Sequence, residues 1–171
     1  MAAASVEQIW GWLSEVPDPE IPVISLTDLG IIRGVEWQGD TVVVTVTPTY
    51  SGCPATSMIN LDIEAALRGR GVEKLRLERR LSPAWTSDWV TEAGREKLRA
   101  YGIAPPIDGT AADGQLAGRI ARLSGSTNLT VACPRCGSTN TEKISQFGST
   151  PCKASYRCKD CLEPFDYFKC I

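Results

Sequence analysis

Apolar residues recur at helical spacing near the start of the chain, where Val6, Ile9, Trp10, Leu13 and Val16 fall on one stripe that stops at Pro17. Ser5 and Gln8 stand three apart at the head of that stripe, the arrangement of a capping box, so residues 5–16 are predicted to form a helix. The period then shortens to two. Residues 30–37 and 41–47 read as strands around Gln38-Gly39-Asp40, a hairpin signature, with Val42, Val44 and Val46 on one face and Val43 among threonines on the other. Residues 48–52 break the second strand. Helical spacing returns at Cys53-Pro54, where Pro54 suits a first helical position, and Met58, Ile59, Leu61, Ile63, Ala66 and Leu67 supply a broad apolar face. Gly69 and Gly71 stop that helix, and residues 72–79 read as a third strand with Leu75 and Leu77 inward. The order α-β-β-α-β predicts a small α+β domain, helices over a short sheet.

Beyond residue 82 the pattern loosens. Residues 86–101 predict a helix that buries Trp89, Val90, Ala93 and Leu98, closed by Gly102 and followed by Pro105-Pro106. Trp85 and Trp89 read as core or domain-interface residues. Residues 107–128, rich in Gly, Ala, Ser and Thr, read as a linker with a short helix around 116–123. Strand-like residues 129–131 lead into a cysteine-rich tail, and 165–168 lead out of it. The expected division is residues 1–82 as the α+β domain, 83–128 as a helical linker and 129–171 as the cysteine module.

Composition sharpens this picture. A chain of 171 residues has room for one ordinary domain and a small one, and a module as short as the tail usually needs a metal or disulfides to stay folded. A net charge of -2 and the absence of an arginine-rich tract give no reason to expect a nucleic-acid partner. No basic leader and no apolar run of membrane-spanning length is visible, so a cytoplasmic protein without a membrane partner is expected. In that reducing compartment paired C-x-x-C motifs read as metal sites before disulfides, and seven cysteines cannot all pair. The chain has no histidine, which excludes His-based acid–base chemistry and Ser-His or Cys-His nucleophile pairs.

The cysteines fall into two groups. Cys133-Pro-Arg-Cys136 and Cys158-Lys-Asp-Cys161, with twenty-one residues between them, have close to zinc-ribbon spacing. Gly137 follows the first pair where a knuckle turn needs a positive φ. The four sulfurs suit a structural zinc, or an iron–sulfur cluster on the same ligands. Cys152 and Cys170 are surplus to a four-ligand site: extra or replacement ligands, or cysteines packed beneath the aromatic strand. Cys53 stands alone in Thr47-Pro-Thr-Tyr-Ser-Gly-Cys-Pro54. A thiol where a helix begins is expected to have a lowered pKa and to react with or ligate metal. Thr47, Thr49 and Ser51 offer hydroxyls around the same mouth, and Asp18 and Glu20, on a loop braced by Pro17, Pro19 and Pro22, can face it. The plainer alternatives are a helix-capping cysteine without a task and two solvated acids.

Three stretches, Asp18-Pro-Glu-Ile-Pro22, Asp28-Leu-Gly30 and Thr47-Pro-Thr-Tyr-Ser-Gly-Cys-Pro54, resemble the SufT-like iron–sulfur assembly family over roughly the first eighty residues. The stretch from Trp85 to Pro106 and the tail, including Phe147-Gly-Ser-Thr-Pro-Cys152 and Pro164-Phe-Asp-Tyr-Phe-Lys-Cys170, extend the likeness. They resemble the PaaD family, accessory subunits of the bacterial phenylacetyl-CoA ring-epoxidase. This resemblance implies an assembly domain joined to a zinc-ribbon-like module, acting in aerobic phenylacetate catabolism as a maturation component that is not catalytic by itself. It implies transient iron or cluster handling at Cys53. It also implies partners among the oxygenase subunits or their iron–sulfur flavin reductase, and leaves room for a homodimer. The alternative is an integral electron-transfer subunit with a cluster on the four cysteines.

Overall fold

A computed structural model describes residues 4–107 and 130–169. The linker helix expected around 116–123 and the residue Cys170 lie outside the described residues. The chain divides into two compact units, Met1–Trp85 and Thr86–Ile171.

In the first unit α1 (Val6–Leu13) opens with the capping box read from the sequence: the Ser5 hydroxyl accepts from the Gln8 N–H, and the Gln8 side chain accepts from the Ser5 N–H. Ile9 and Leu13 are fully buried. Strands β1 (Ile32–Gln38) and β2 (Thr41–Val46) form the antiparallel hairpin, with Gln38 opposite Thr41 and Gly39 supplying φ +64° in the turn. Strand β3 (Leu75–Arg79) joins parallel to β2, giving the order β1-β2-β3. Val42, Val43 and Val44 are all buried, so the central strand is covered on both faces.

Helix α2 (Thr56–Arg68) starts later than its sequence implies. The Cys53 N–H donates to the Tyr50 carbonyl, and the Cys53 carbonyl accepts from the Thr56 N–H at 3.2 Å and the Thr56 hydroxyl at 2.8 Å. These local turns use up residues 50–55, and Pro54 lies ahead of the helix. The buried face of α2 is also narrower than expected: Ile59, Ile63 and Leu67 are buried, whereas Met58 and Leu61 are exposed. Trp85 is a core residue of this unit, its indole N–H donating 2.8 Å to the Leu29 carbonyl.

In the second unit the helix expected over 86–101 is two elements. A 3₁₀ turn, Ser87–Trp89, is capped by Thr86, and α3 (Glu92–Tyr101) is capped afresh by Thr91, whose hydroxyl accepts from the Gly94 N–H at 3.0 Å. Val90 and Leu98 are buried as expected, but Ala93 is exposed and Trp89 only partly covered. Arg95 is buried and ties the pieces together, donating to the carbonyls of Ser87 and Pro106. Gly102, at φ +97°, ends α3. Strands β4 (Ile103–Ala104), β5 (Thr141–Ser145), β6 (Lys153–Cys158) and β7 (Pro164–Phe168) form one sheet in the order β4-β7-β6-β5. Residues 130–131 are not a strand, but Val131 enters the core. That core contains Ala104, Val131, Ala154, Tyr156, Phe165 and Tyr167 together with Cys133 and Cys158. Tyr156 stacks on Phe165 and meets Tyr167 edge-on, with centroids 5.8 and 5.7 Å apart. Among the described residues no helix is long and apolar enough to cross a membrane.

Candidate metal centre and the Cys53 loop

The four sulfurs of Cys133, Cys136, Cys158 and Cys161 lie within 4.8 Å of one another. Cys133 and Cys161 are 3.8 Å apart, and Cys136 and Cys158 are 3.6 Å apart. Four thiolates on one tetrahedral ion at about 2.3 Å must be separated by about 3.8 Å, so the donor set fits a single thiophilic ion. Two matched turns build it. The Cys133 N–H donates to the Ser138 carbonyl at 2.9 Å, and the Cys158 N–H donates to the Glu163 carbonyl at 3.0 Å, each five residues on. The residue after each second cysteine has positive φ: Gly137 at +75°, and Leu162 at +65°. Asp160 braces the turns against each other, accepting from the Ser138 hydroxyl and, at 2.7 Å, from the Asn140 side-chain amide. Those bonds hold its carboxyl below the usual carboxylate range.

The thiols are unequal. Backbone N–H groups, that of Cys161 first and then that of Asp160, bring Cys158 down to about 7. The Glu163 N–H pulls Cys161 the same way, but desolvation and the neighbouring sulfurs push it up to about 12. Cys133 and Cys158 are buried and Cys136 and Cys161 exposed. Cys152 stands apart from this group: it is buried, with its sulfur 3.0 Å from the Thr150 hydroxyl.

Cys53 is half-buried on the loop between β2 and α2. Its thiol pKa is raised, contrary to the expectation from sequence. Burial is the first cause and the charges of Glu20 and Asp18 add to it, against the Ala55 N–H and the Thr56 hydroxyl. With α2 beginning at Thr56, the helix start offers the sulfur the Ala55 N–H, which burial outweighs. Both acids lie near enough for their charges to act on it. Asp18 is no solvated loop residue: it is buried, and its carboxylate accepts from the N–H groups of Glu20 and Ile21 at 2.9 and 2.8 Å. Glu20 is half-buried, as is Thr49, while Thr47 is buried and Ser51 exposed. Arg79 donates to the Ser51 carbonyl and fixes the tip of the loop. The charges of the two acids act on the thiol, although among the described residues only the four knuckle cysteines gather closely enough to hold one ion.

Sequence reasoning missed Leu162 and Asp160. Leu162 had one signal, its position in the second knuckle matching that of Gly137 in the first.

Comparison with known proteins divides at the same two regions. Residues 6–74 match a family described as "Iron-sulfur cluster assembly protein", and residues 120–169 match one described as "PaaD zinc beta ribbon domain". The whole chain is 48% identical, over 171 residues and 96% of the relative, to an Escherichia coli (strain K12) protein named as one subunit of a "Putative 1,2-phenylacetyl-CoA epoxidase". Over 94 residues, 54% of this chain and 89% of the relative, it is 36% identical to a Porphyromonas gingivalis protein named "Fe-S protein maturation auxiliary factor". The crystal structure of a domain of unknown function from Bacillus anthracis has the same fold over 54% of this chain and 90% of its own, with TM-score 0.50 and 23% identity.

Proposed function

This chain belongs to the PaaD family of 1,2-phenylacetyl-CoA epoxidase subunits, and from that premise we propose that it is an accessory factor that supplies iron, or an iron–sulfur group, to that system. In this reading Cys53 holds the cargo transiently. The four-cysteine site carries a resident zinc that keeps the second unit folded, and the protein does no chemistry on phenylacetyl-CoA itself. The partners are the oxygenase subunits of the epoxidase or the reductase that feeds them.

One observation carries the reading. Cys53 is half-buried, its thiol pKa raised by burial and by the charges of Glu20 and Asp18, within the region that matches iron–sulfur assembly proteins. A thiol that surrenders its proton only to an arriving cation holds that cation less firmly than a preformed thiolate, and a second thiol can take the cation away. For the other site, the close mutual spacing of the four sulfurs favours one ion, because the thiolates of a four-iron cube each bind a different iron and must lie farther apart.

The test is anaerobic purification with elemental analysis, beside replacement of the chromosomal copy by Cys53→Ser. The wild-type protein should be colourless with one equivalent of zinc, and the Cys53→Ser protein should fold normally yet leave cells without epoxidase activity. Visible absorption with a reducible EPR signal, together with full activity of Cys53→Ser, would instead make it an electron-transfer subunit.

A further inference from the structure

The four-stranded sheet of the second unit ends on β5, and this edge is irregular. Its pairing with β6 shifts register between Lys143 and Ser145, which leaves Ile144 as the extra residue of a bulge. Ile144 is 62% exposed, and three residues on Phe147 is 66% exposed. Phe147 is nevertheless held in place. The Lys169 ammonium lies 4.2 Å from its ring centroid and donates to the main-chain oxygen of Gln146. From the other side the Lys143 ammonium donates 3.0 Å to the side-chain oxygen of Gln146. Two cations thus converge on one residue, and both acceptors it offers are neutral. Among the described residues, Glu142 and Asp166 are engaged with other lysines. Glu142 pairs with Lys159 at 3.3 Å, and Asp166 lies 3.9 Å from Lys153. Burial, together with the charge of Lys143, lowers the Lys169 pKa, although Cys152 opposes this.

We propose that this corner is a docking surface for an acidic, apolar segment of a protein partner. A carboxylate of the partner sits between Lys143 and Lys169, and its neighbouring apolar side chain lies across Phe147 and Ile144. Charge complementarity sets the sign of the partner, and the two exposed apolar side chains supply the anchor. A polyphosphate backbone needs a row of cations and gains nothing from Ile144 and Phe147. The bulge disfavours addition of a further strand, so contact is made through side chains. The proposal draws on the function proposed above only for the identity of the partner used in the first measurement.

The zinc-loaded full chain is titrated with the purified oxygenase complex and, separately, with the reductase. K143E/K169E and F147A should each weaken binding about tenfold or more, and K143R/K169R should retain it, with metal content and melting temperature unchanged throughout. Wild-type binding that K143E/K169E leaves intact overturns the docking surface and spares the proposed function. If the wild type binds neither protein, the proposed partners fail. The surface is then judged by NMR titration with a short synthetic peptide alternating glutamate and leucine, against its glutamine counterpart. Shifts at Lys143, Ile144, Phe147 and Lys169 with the acidic peptide alone uphold it, and no shifts overturn it. Oligonucleotide binding or self-association that K143E/K169E abolishes also overturns it, by giving the corner to another occupant.

Discussion

Cys53 shows how far one residue's chemistry depends on where the chain bends. Read along the sequence, its position before Pro54 and an apolar helical pattern argues for an acidic thiol. The Thr56 hydroxyl and N–H instead close a turn on the Cys53 carbonyl, the helix starts beyond it, and burial beside Glu20 and Asp18 raises the pKa. Local spacing could not show this, because the acids come from thirty-odd residues away. The sign gives a test. Below its raised pKa the thiolate fraction grows about tenfold per pH unit, so alkylation of Cys53, followed by peptide mass mapping, should still be climbing above the ordinary thiol value. Glu20→Gln removes one of the opposing charges and should speed alkylation at pH 8 by about two- to threefold. An unchanged rate would mean that the Glu20 charge does not contribute to the raised pKa. The knuckles present the converse case. Gly137 announces its positive φ by being glycine, while Leu162 hides the same conformation behind a side chain that L-residues seldom place there. Leu162 is also largely exposed, so Leu162→Gly should stabilise the metal-loaded protein by about 1 kcal/mol in denaturant unfolding.

Among the elements, those with a single local signature were legible and those decided by a second competing cap were not. Ser5 and Gln8 fix the start of α1, and Gln38-Gly39-Asp40 fixes the hairpin, because each is a self-contained hydrogen-bonding device. Residues 86–101 hold two caps, at Thr86 and Thr91, and the second restarts the chain as α3. An apolar pattern alone runs through such a break. Thr91→Ala should therefore destabilise the second unit by about 1 kcal/mol, seen as faster amide exchange in the first turn of α3. No change in exchange at Gly94 would mean that the Thr91 hydroxyl is not what holds the turn. The breadth of the apolar face on α2 was likewise overread, since Met58 and Leu61 satisfy the helical pattern without meeting a neighbour that covers them.

For the molecule as a whole, six of the seven cysteines fall in the second of two compact units. What the sequence did not convey is that the metal ligands are also core residues, with Cys133 and Cys158 packed among Tyr156, Phe165 and Tyr167. Removing the ion unties the two turns that carry these core cysteines, so chelation should unfold the second unit while the first persists. Heteronuclear NMR of the full chain after chelator treatment should show collapsed dispersion for residues 130–169 and unchanged signals for β1–β3. Uniform loss of both sets would mean that the units do not unfold separately.

The alternation of buried and exposed ligands gives the site a front and a back. A peroxide or a competing chelator arriving from solvent meets only Cys136 and Cys161, while the aromatic layer shields the other two. Damage should therefore begin at the outer pair, and for a time the ion would hang from its two inner anchors. An injured molecule could in that interval be repaired by reduction before it falls apart.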